Sequence, residues 1–167
     1  MILAFDTYYY NNKAKTVGVS FNNWLDDTVF EIKEEIIEDV PDYEPGAFYK
    51  RELPCILSLL KQYNLEDVEL VIVDSYVLLD DDGKLGLGGH LYNSLDKKNP
   101  IVGVAKSSFH LNKTNSKPLL RGDSIKPLYI SAIGINLDEA YELVKSMHGN
   151  YRMPTLLQIL DTKTKEK

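Results

Sequence analysis

The sequence has little cysteine and no long apolar segment. Its one cysteine, Cys55, excludes a disulfide within the chain, and the lack of an apolar run of about 18 residues argues against a membrane-spanning helix. The apolar residues 2–5 follow no positive charge and are too few for a secretion signal. We therefore expect a cytoplasmic protein that does not enter a membrane. Cys55 is expected to be a buried structural thiol, because no histidine lies near it in sequence.

Histidine is scarce as well, and its spacing carries no metal signature. The three histidines stand at positions 90, 110 and 148, which is not the paired spacing of a zinc site. The sequence also lacks a Cys-x-x-Cys pair and the Gly-Lys-Ser/Thr of a phosphate-binding loop. We therefore assign no histidine as a metal ligand, and carboxylates become the candidates for that role.

The net charge of −6 at first disfavours nucleic acid as a partner, but the charge is unevenly distributed. Residues 1–83 carry 6 Lys and Arg against 18 Asp and Glu, whereas residues 84–167 carry 13 against 7. Between Lys97 and Lys126, seven side chains are basic and one, Asp123, is acidic. Such asymmetry is a hint of a face that binds nucleic acid. A solvated basic surface is the alternative interpretation.

The hydrophobic pattern predicts an α/β fold. The predicted strands are Ile2–Tyr9, Ala14–Asn22, Val29–Ile37, Val68–Leu79, Ile101–Lys106 and Pro127–Ile133. The predicted helices are Gly46–Tyr63 with a kink or start near Pro54, a short helix after the loop Asp80–Gly89, Leu137–Met147 and Thr155–Thr162. This order predicts one domain over residues 1–167, with a frayed tail at 163–167. An antiparallel three-strand meander followed by β-α-β, in a mixed sheet flanked by helices, is the order of ribonuclease H-like folds.

Two aspartates stand where apolar strands are not expected to carry charge. Asp6 follows Leu3-Ala4-Phe5, and Asp74 follows Val71-Ile72-Val73, each inside a predicted strand. A buried carboxylate is costly unless something compensates it, so we interpret the two as neighbours that face a common cation. Carboxylate oxygens suit Mg²⁺, and two such ions can support phosphodiester cleavage. The alternative is that each aspartate ends its strand or pairs with a lysine.

Lys106 closes the predicted strand Ile101–Lys106. Its ammonium could offset carboxylate charge, or hold a phosphate or an attacking water. The commoner alternative is a strand-end lysine that reaches solvent. The tripeptide Arg121-Gly122-Asp123 recurs by chance in proteins, and we interpret it as a turn between strands.

Several segments resemble the endonuclease V family, in the same order along almost the whole chain. These segments are Phe5-Asp6-Thr7-Tyr8-Tyr9, Tyr43-Glu44-Pro45-Gly46 continuing to Arg51-Glu52, Val71-Ile72-Val73-Asp74, Gly86-Leu87-Gly88-Gly89-His90-Leu91, Val102-Gly103-Val104-Ala105-Lys106, Pro127–Ser131, Asn136–Ala140 and Arg152–Asp161. Each piece alone is a weak signal, whereas the ordered set is specific. The chain is identified on these residues as a divergent member of the family.

The resemblance implies a metal-dependent endonuclease of DNA repair. It would hydrolyse a phosphodiester bond on the 3′ side of deoxyinosine, or of a similar deaminated or mismatched base. Mg²⁺ would be the cofactor, with Mn²⁺ as a substitute, and DNA the partner, with RNA left open; a monomer is the default. The implied metal ligands are Asp6, Glu52, Asp74 and Asp161, the implied catalytic residues are Asp6, Glu52, Asp74 and Lys106, and the implied substrate-binding residues are Tyr43, Pro45, Gly46 and Gly103.

The chain departs from the family pattern beside the implied base pocket. The family's Asp-Gly-His-Gly is here Asp74-Ser75-Tyr76-Val77, and Asp80-Asp81-Asp82 replaces a basic stretch that contains histidine. Larger side chains thus stand where two glycines are usual. These differences leave open a ribonuclease H-like nucleic-acid-binding relative with weak or altered nuclease activity. A third possibility is a protein-interaction domain whose acidic N-terminal half meets a basic partner.

Overall fold

The computed structural model describes residues 1–45 and 47–166, and in this part of the chain seven strands combine with four α-helices. The strands are β1 (Ile2–Tyr10), β2 (Lys13–Phe21), β3 (Glu31–Ile37), β4 (Leu70–Val73), β5 (Ile101–Ala105), β6 (Lys117–Leu119) and β7 (Leu128–Ile133). The helices are α1 (Tyr49–Leu60), α2 (Leu87–Ser94), α3 (Leu137–Ser146) and α4 (Thr155–Lys165), and a 3-10 turn covers Leu65–Asp67.

The described strands form one mixed sheet in the order β3-β2-β1-β4-β5-β7-β6. The first three pair antiparallel through short connections, whereas β1, β4 and β5 are parallel neighbours joined through helices. Strands β5, β7 and β6 are again antiparallel. The predicted α/β class, the meander and the β-α-β order are therefore confirmed. The three-residue strand β6 was not predicted, because it is very short and contains Pro118.

Alternation along β1 separates the two layers of the core. Ile2 and Ala4 pack with α3 and α4 on one face of the sheet, and Leu3 and Phe5 pack with α1 and α2 on the other. All four side chains are buried. Asp6 continues the first of these faces, and therefore looks toward α4.

Strand β4 is central and buried along its length, as predicted, but it is only four residues long. The prediction of a strand from Val68 to Leu79 was wrong beyond Val73. The apolar residues that follow are buried against the neighbouring elements: the amide of Val77 donates to Ser131 Oγ at 2.9 Å, and its carbonyl accepts from Gly86 and Gly89. Their apolar character reflects this burial, and their one β contact is an isolated bridge between Leu78 and Leu85. Asp74 therefore follows the strand and does not lie within it.

The carboxyl ends of the parallel strands meet at one edge of the sheet. Asp74 comes directly after β4, and Lys106 comes directly after β5, so the prediction that Lys106 belongs to its strand was off by one residue. Asp6 lies further along β1, beyond the last residue that pairs with β4. The topology thus brings three of the sequence-predicted residues to the same edge.

The two longest helices differ from their predicted bounds. Helix α1 begins at Tyr49 and continues through Pro54, so this proline does not mark its start. Helix α4 continues to Lys165, three residues beyond its predicted end at Thr162. The ammonium of Lys15, buried on β2, donates to the carbonyls of Lys163 at 2.9 Å and Glu166 at 2.8 Å. This lysine ties down the end of α4, because it satisfies carbonyls that a helix end leaves without partners.

Cys55 is buried in α1, as predicted. Within residues 1–45 and 47–166, no helix is both long enough and apolar enough to cross a bilayer. The cytoplasmic location stays a prediction.

Arg121 lies in the connection between β6 and β7, where a simple turn was predicted. Its side chain is buried and donates to four carbonyls, those of Met147, Gly149, Tyr151 and Arg152, at 2.7–3.4 Å. The connection is therefore an anchor for residues 147–152, which lead from α3 into α4. Sequence reasoning missed this role, because no local pattern marks an arginine that binds backbone carbonyls.

Replacing Arg121 by alanine is expected to lower the free energy of unfolding by about 3 kcal/mol, because buried carbonyls would lose a charged donor. Urea denaturation followed by circular dichroism measures this loss. The free energy of unfolding of Arg121→Lys should lie between those of the parent and Arg121→Ala, because a single ammonium cannot reach all four carbonyls as the forked guanidinium does. Lys126→Ala, at an exposed site in the same connection, serves as the control. A loss for Arg121→Ala no greater than that of the control would contradict the anchoring role.

Candidate active site

Four charged residues converge at the carboxyl edge of the parallel strands. Asp6, Asp74, Lys106 and Asp161 line one small cavity, together with apolar side chains of β1, β4, β5 and α4. Lys106 Nζ lies 3.2 Å from Asp74 Oδ2 and 3.4 Å from Asp161 Oδ1. Residues separated by up to 155 positions in sequence thus share one site.

The two lysines of the site both bind Asp161. Lys165 lies one turn after Asp161 on α4, and its ammonium reaches that carboxylate at 3.0 Å. Burial works against the charge of Asp161, but the hydrogen bonds from Lys165 and the charge of Lys106 hold its pKa below the ordinary value. Burial likewise opposes the charge of Lys106, and the carboxylates of Asp74 and Asp161 outweigh it and raise the pKa of the ammonium. Asp161 is therefore a carboxylate already neutralised by cations of the chain.

The charge of Asp6, unlike that of Asp161, is poorly compensated by its surroundings. Its carboxylate is 9% exposed and accepts a hydrogen bond from the amide of Thr7 at 2.8 Å. Burial first, and then the charge of Asp74, raise the pKa of Asp6 to about 7, although Lys106 acts in the other direction. The folded chain therefore holds this group near the point where it loses its charge at neutral pH.

Glu52 approaches the site from α1, on the other layer of the fold. Its side chain is 3% exposed, and Oε2 has no hydrogen-bond partner. Burial, followed by the charges of Asp6 and Asp74, raises the pKa of Glu52 well above its ordinary value. A buried carboxylate oxygen without a donor is costly, so this atom needs either a proton or a cation.

The oxygen donors of these carboxylates suit a divalent cation, although the side chains are not arranged around a common point. Among residues 1–45 and 47–166, no group of three or more His, Cys, Asp or Glu side chains is arranged as a finished metal cage. Lys106 stands between two of the carboxylates instead. The unpartnered Glu52 Oε2 and the raised pKa of Asp6 are the features that a cation would relieve. Mg²⁺ takes oxygen ligands and keeps several waters, so a few carboxylates suffice.

The residues predicted to bind substrate lie in different environments. Tyr43 is 57% exposed and Pro45 is exposed, in the irregular segment that leads to α1. Gly46 lies outside the described residues. Gly103 is buried in β5, paired with Val73 and Ser131. A Cβ added there would collide with the carbonyl oxygen of Ser75, so this glycine lets the chain after Asp74 pack closely against β5.

An apolar cavity of about 110 Å³ opens beside Asp74, on the side of α1 and α2. Its walls are mainly aromatic and aliphatic, and Ser75 is a small polar residue among them. The lining residues are Phe48, Tyr49, Ser75, Leu79, Gly86, Leu87 and Phe109. We name it the α1–α2 pocket.

The family model of endonuclease V matches residues 1–162 of the chain. The chain belongs to the endonuclease V family. It is accordingly an endonuclease, and the alternative of a nucleic-acid-binding relative with weak or altered nuclease activity is not favoured. Among curated protein sequences, none matches.

Solved endonuclease V structures share the fold. The enzyme of Ciona intestinalis, solved with a 24mer DNA containing an inosine followed by a ribo-adenosine, has a TM-score of 0.79 at 18% identity, covering 98% of this chain and 83% of that one. Human endonuclease V has a TM-score of 0.73 at 23% identity, covering 98% and 82%. The Streptomyces avermitilis enzyme has 0.73 at 22%, covering 98% and 78%. The predicted ribonuclease H-like fold is thereby confirmed.

Tyr76, which stands at the histidine position of the endonuclease V pattern, is turned away from solvent. It is 8% exposed, its hydroxyl donates to the carbonyl of Ser107 at 2.6 Å, and its ring lies 6.4 Å from that of Phe109. Phe109 in turn forms a wall of the α1–α2 pocket. Tyr76, which is larger than the histidine usual at this position, therefore packs against Phe109 and does not itself line the cavity.

Sequence reasoning missed the other aromatic contacts of this pocket. Tyr49 stacks on His90 with ring centroids 3.6 Å apart, and burial lowers the pKa of that histidine. Phe109 belongs to an irregular segment between β5 and β6, where no periodic pattern predicts a contact. Tyr49 had a signal, since it stands in the segment from Tyr43 to Glu52 that resembles the endonuclease V family.

Proposed function

We propose that the chain is a Mg²⁺-dependent endonuclease that hydrolyses a phosphodiester bond on the 3′ side of deoxyinosine, or of a similar deaminated base. The observation that carries this proposal is the convergence of buried, incompletely compensated carboxylates beside an apolar pocket. Family membership supplies the reaction class. The inosine-containing DNA held by the Ciona intestinalis relative supports the choice of substrate.

We assign Asp6, Glu52 and Asp74 as the ligands of Mg²⁺, with Asp161 as a further acidic group and Mn²⁺ as a substitute ion. The bound metal would supply stabilisation of negative charge on the attacking and leaving oxygens. Asp74 and Asp161 hold the ammonium of Lys106 at the edge of the site. A phosphate would draw this ammonium toward itself, because a lysine is a mobile point charge on a flexible stem. Lys106 would thus bind the scissile phosphate.

The α1–α2 pocket is the proposed receptor for the damaged base. Its aromatic walls suit a planar ring, and Ser75 directly follows the metal ligand Asp74. Tyr43, with Pro45 and Gly46, would fill the gap left in the duplex when the base leaves the stack. Extruding a base costs a few kcal/mol and least at a mismatch, so an exposed aromatic wedge lowers that cost where it is needed.

The physiological nucleic acid is proposed to be DNA, with RNA as a second substrate, and the active species a monomer. The basic residues of the C-terminal half would provide sequence-independent contacts to phosphates. Such contacts make binding strongly dependent on salt.

The test is cleavage of a labelled duplex that carries one deoxyinosine, in Mg²⁺ or Mn²⁺ and in EDTA. We expect cleavage only with the metal, on the 3′ side of the lesion, and at least about 100-fold faster than for the same duplex with deoxyadenosine. An RNA strand with one inosine gives the comparison between substrates. Equal rates on damaged and undamaged duplex would overturn the proposed specificity, and binding without metal-dependent cutting would overturn the proposed reaction.

A further inference from the structure

Two tyrosines extend the face of β1 that carries Asp6. Side chains alternate along a strand, so residues 6, 8 and 10 lie on the same face. The rings of Tyr8 and Tyr10 are nearly parallel, with centroids 6.1 Å apart and planes inclined by 21°. Tyr8 is 42% exposed, although a tyrosine is readily buried. An aromatic surface open to solvent therefore begins two residues after a proposed metal ligand.

The end of α4 forms the opposite wall of this surface. Tyr8, Tyr10 and Asn11 line an open groove together with Thr164, Lys165 and Glu166. Lys15 fixes that wall through its bonds to the carbonyls of Lys163 and Glu166. Lys165 reaches back to Asp161, so its ammonium lies between the carboxylate site and the tyrosines. The groove is thus a continuation of the candidate active site, with a cation at the junction.

The α1–α2 pocket and the tyrosine groove lie on opposite sides of the carboxylates. The pocket is lined by residues of α1 and α2 and by Ser75, which follows Asp74, whereas the groove is lined by residues of α4 and by Tyr8, two residues after Asp6. With a rise of about 3.3 Å per residue, Tyr8 and Tyr10 follow Asp6 at about 7 and 13 Å along β1. A strand with one base in the pocket and its next phosphates at the carboxylates would continue over these rings.

We propose that Tyr8 and Tyr10 form a stacking platform for the bases that follow the scissile phosphate on its 3′ side where that strand is single-stranded. Lys165 would contact a phosphate of the same segment. The 3′ assignment rests on the proposed function, since the cut lies 3′ to the base in the pocket. Stacking on aromatic rings is tolerant of sequence, because every base has a π-face. The platform therefore holds the outgoing strand without reading it.

The experiment measures binding of a fluorescein-labelled oligo(dT) without inosine by anisotropy, in Ca²⁺ at low salt. Tyr8→Ser and Tyr10→Ser remove the rings, and Tyr8→Phe and Tyr10→Phe keep them as matched controls. We expect each serine variant to bind about 10-fold more weakly and each phenylalanine variant to bind like the parent. Melting temperatures of all four variants show whether the fold is kept.

A second arm locates the contact on the strand. Binding of the parent to an oligonucleotide with deoxyinosine is compared with binding when the bases on its 3′ side are replaced by abasic sites. We expect the abasic sites to weaken binding to the parent more than binding to Tyr8→Ser, which keeps only the ring of Tyr10. Equal affinities of folded serine and phenylalanine variants for oligo(dT), or sensitivity only to abasic sites 5′ to the inosine, would overturn the platform. Failure of the proposed function appears separately, as a parent that binds oligo(dT) through these rings yet does not cut at inosine.

Discussion

Replacement of Glu52 by glutamine is expected to reduce kcat/KM for the deoxyinosine duplex by about 10³-fold, the upper end for loss of one well-placed electrostatic group. The amide has nearly the shape of the carboxylate but lacks its charge, so the proposed Mg²⁺ ligand is lost without a change in packing. Single-turnover cleavage with a gel readout measures the effect. Glu142→Gln, at an exposed site on α3, is the control and should cleave at the parental rate.

The same substitution is expected to stabilise the metal-free protein. Glu52 is buried, and Oε2 has no partner, so the folded state disfavours its charge, and the neutral amide avoids that penalty. Thermal melting in EDTA should therefore show a higher midpoint for Glu52→Gln than for the parent, while added Mn²⁺ should raise the midpoint of the parent more. A variant that loses both activity and metal-free stability would indicate a structural role for the carboxylate.

Asp6 is expected to make the metal-free protein less stable as pH rises from 4 to 7. The pKa of a free aspartate is about 3.9, whereas burial and Asp74 raise that of Asp6 to about 7 in the folded chain. Between these values the folded state binds more protons than the unfolded state, so stability is fully present below pH 4 and is lost as pH approaches 7. Glu52 acts in the same direction, because its pKa is also raised.

Urea denaturation in EDTA at several pH values, with Asp6→Asn beside the parent, isolates this contribution. The variant should lose the part of the decrease in stability between pH 5 and 7 that Asp6 contributes, while the part from Glu52 remains, and it should lose cleavage activity. His90 works in the opposite direction near pH 6, because burial lowers its pKa, and Asp161 acts only at lower pH. The difference between the two proteins is therefore the diagnostic quantity. Parallel profiles of stability against pH for the parent and the variant would show that the surroundings do not raise the pKa of Asp6.

The fold could be predicted where burial leaves a periodic trace. The meander followed from the apolar and aromatic residues of β1 and the alternation of Val17 and Val19 in β2, and central β4 followed from its continuous apolar run. The same run misled the prediction beyond Val73, because Tyr76 and Val77 are buried without belonging to a strand. Hydrophobicity records burial, and it does not distinguish a strand from a packed loop.

The candidate site was predictable to different degrees. Asp6 and Asp74 stood out from the residues alone, since a charge after three apolar strand residues needs compensation. Glu52 and Asp161 lie on helices, where an acid is ordinary, and only the family resemblance singled them out. Tyr10 gave no signal, because tyrosine is common in strands, and Tyr8 stood in a segment that resembles the family but was given no role. Their significance comes from the position of α4, which brings the other end of the sequence beside them.

The packing of α4 against β1 brings together the first and last elements of the described chain. A centre built from Asp6 and Asp161 exists only when contacts between distant parts of the polypeptide have formed, and such contacts form slowly during folding. Loss of α4 by local opening would remove an acid, a lysine and a wall of the tyrosine groove at once. Turnover should therefore track the native population closely, with no partly folded species able to nick nucleic acid in an uncontrolled way.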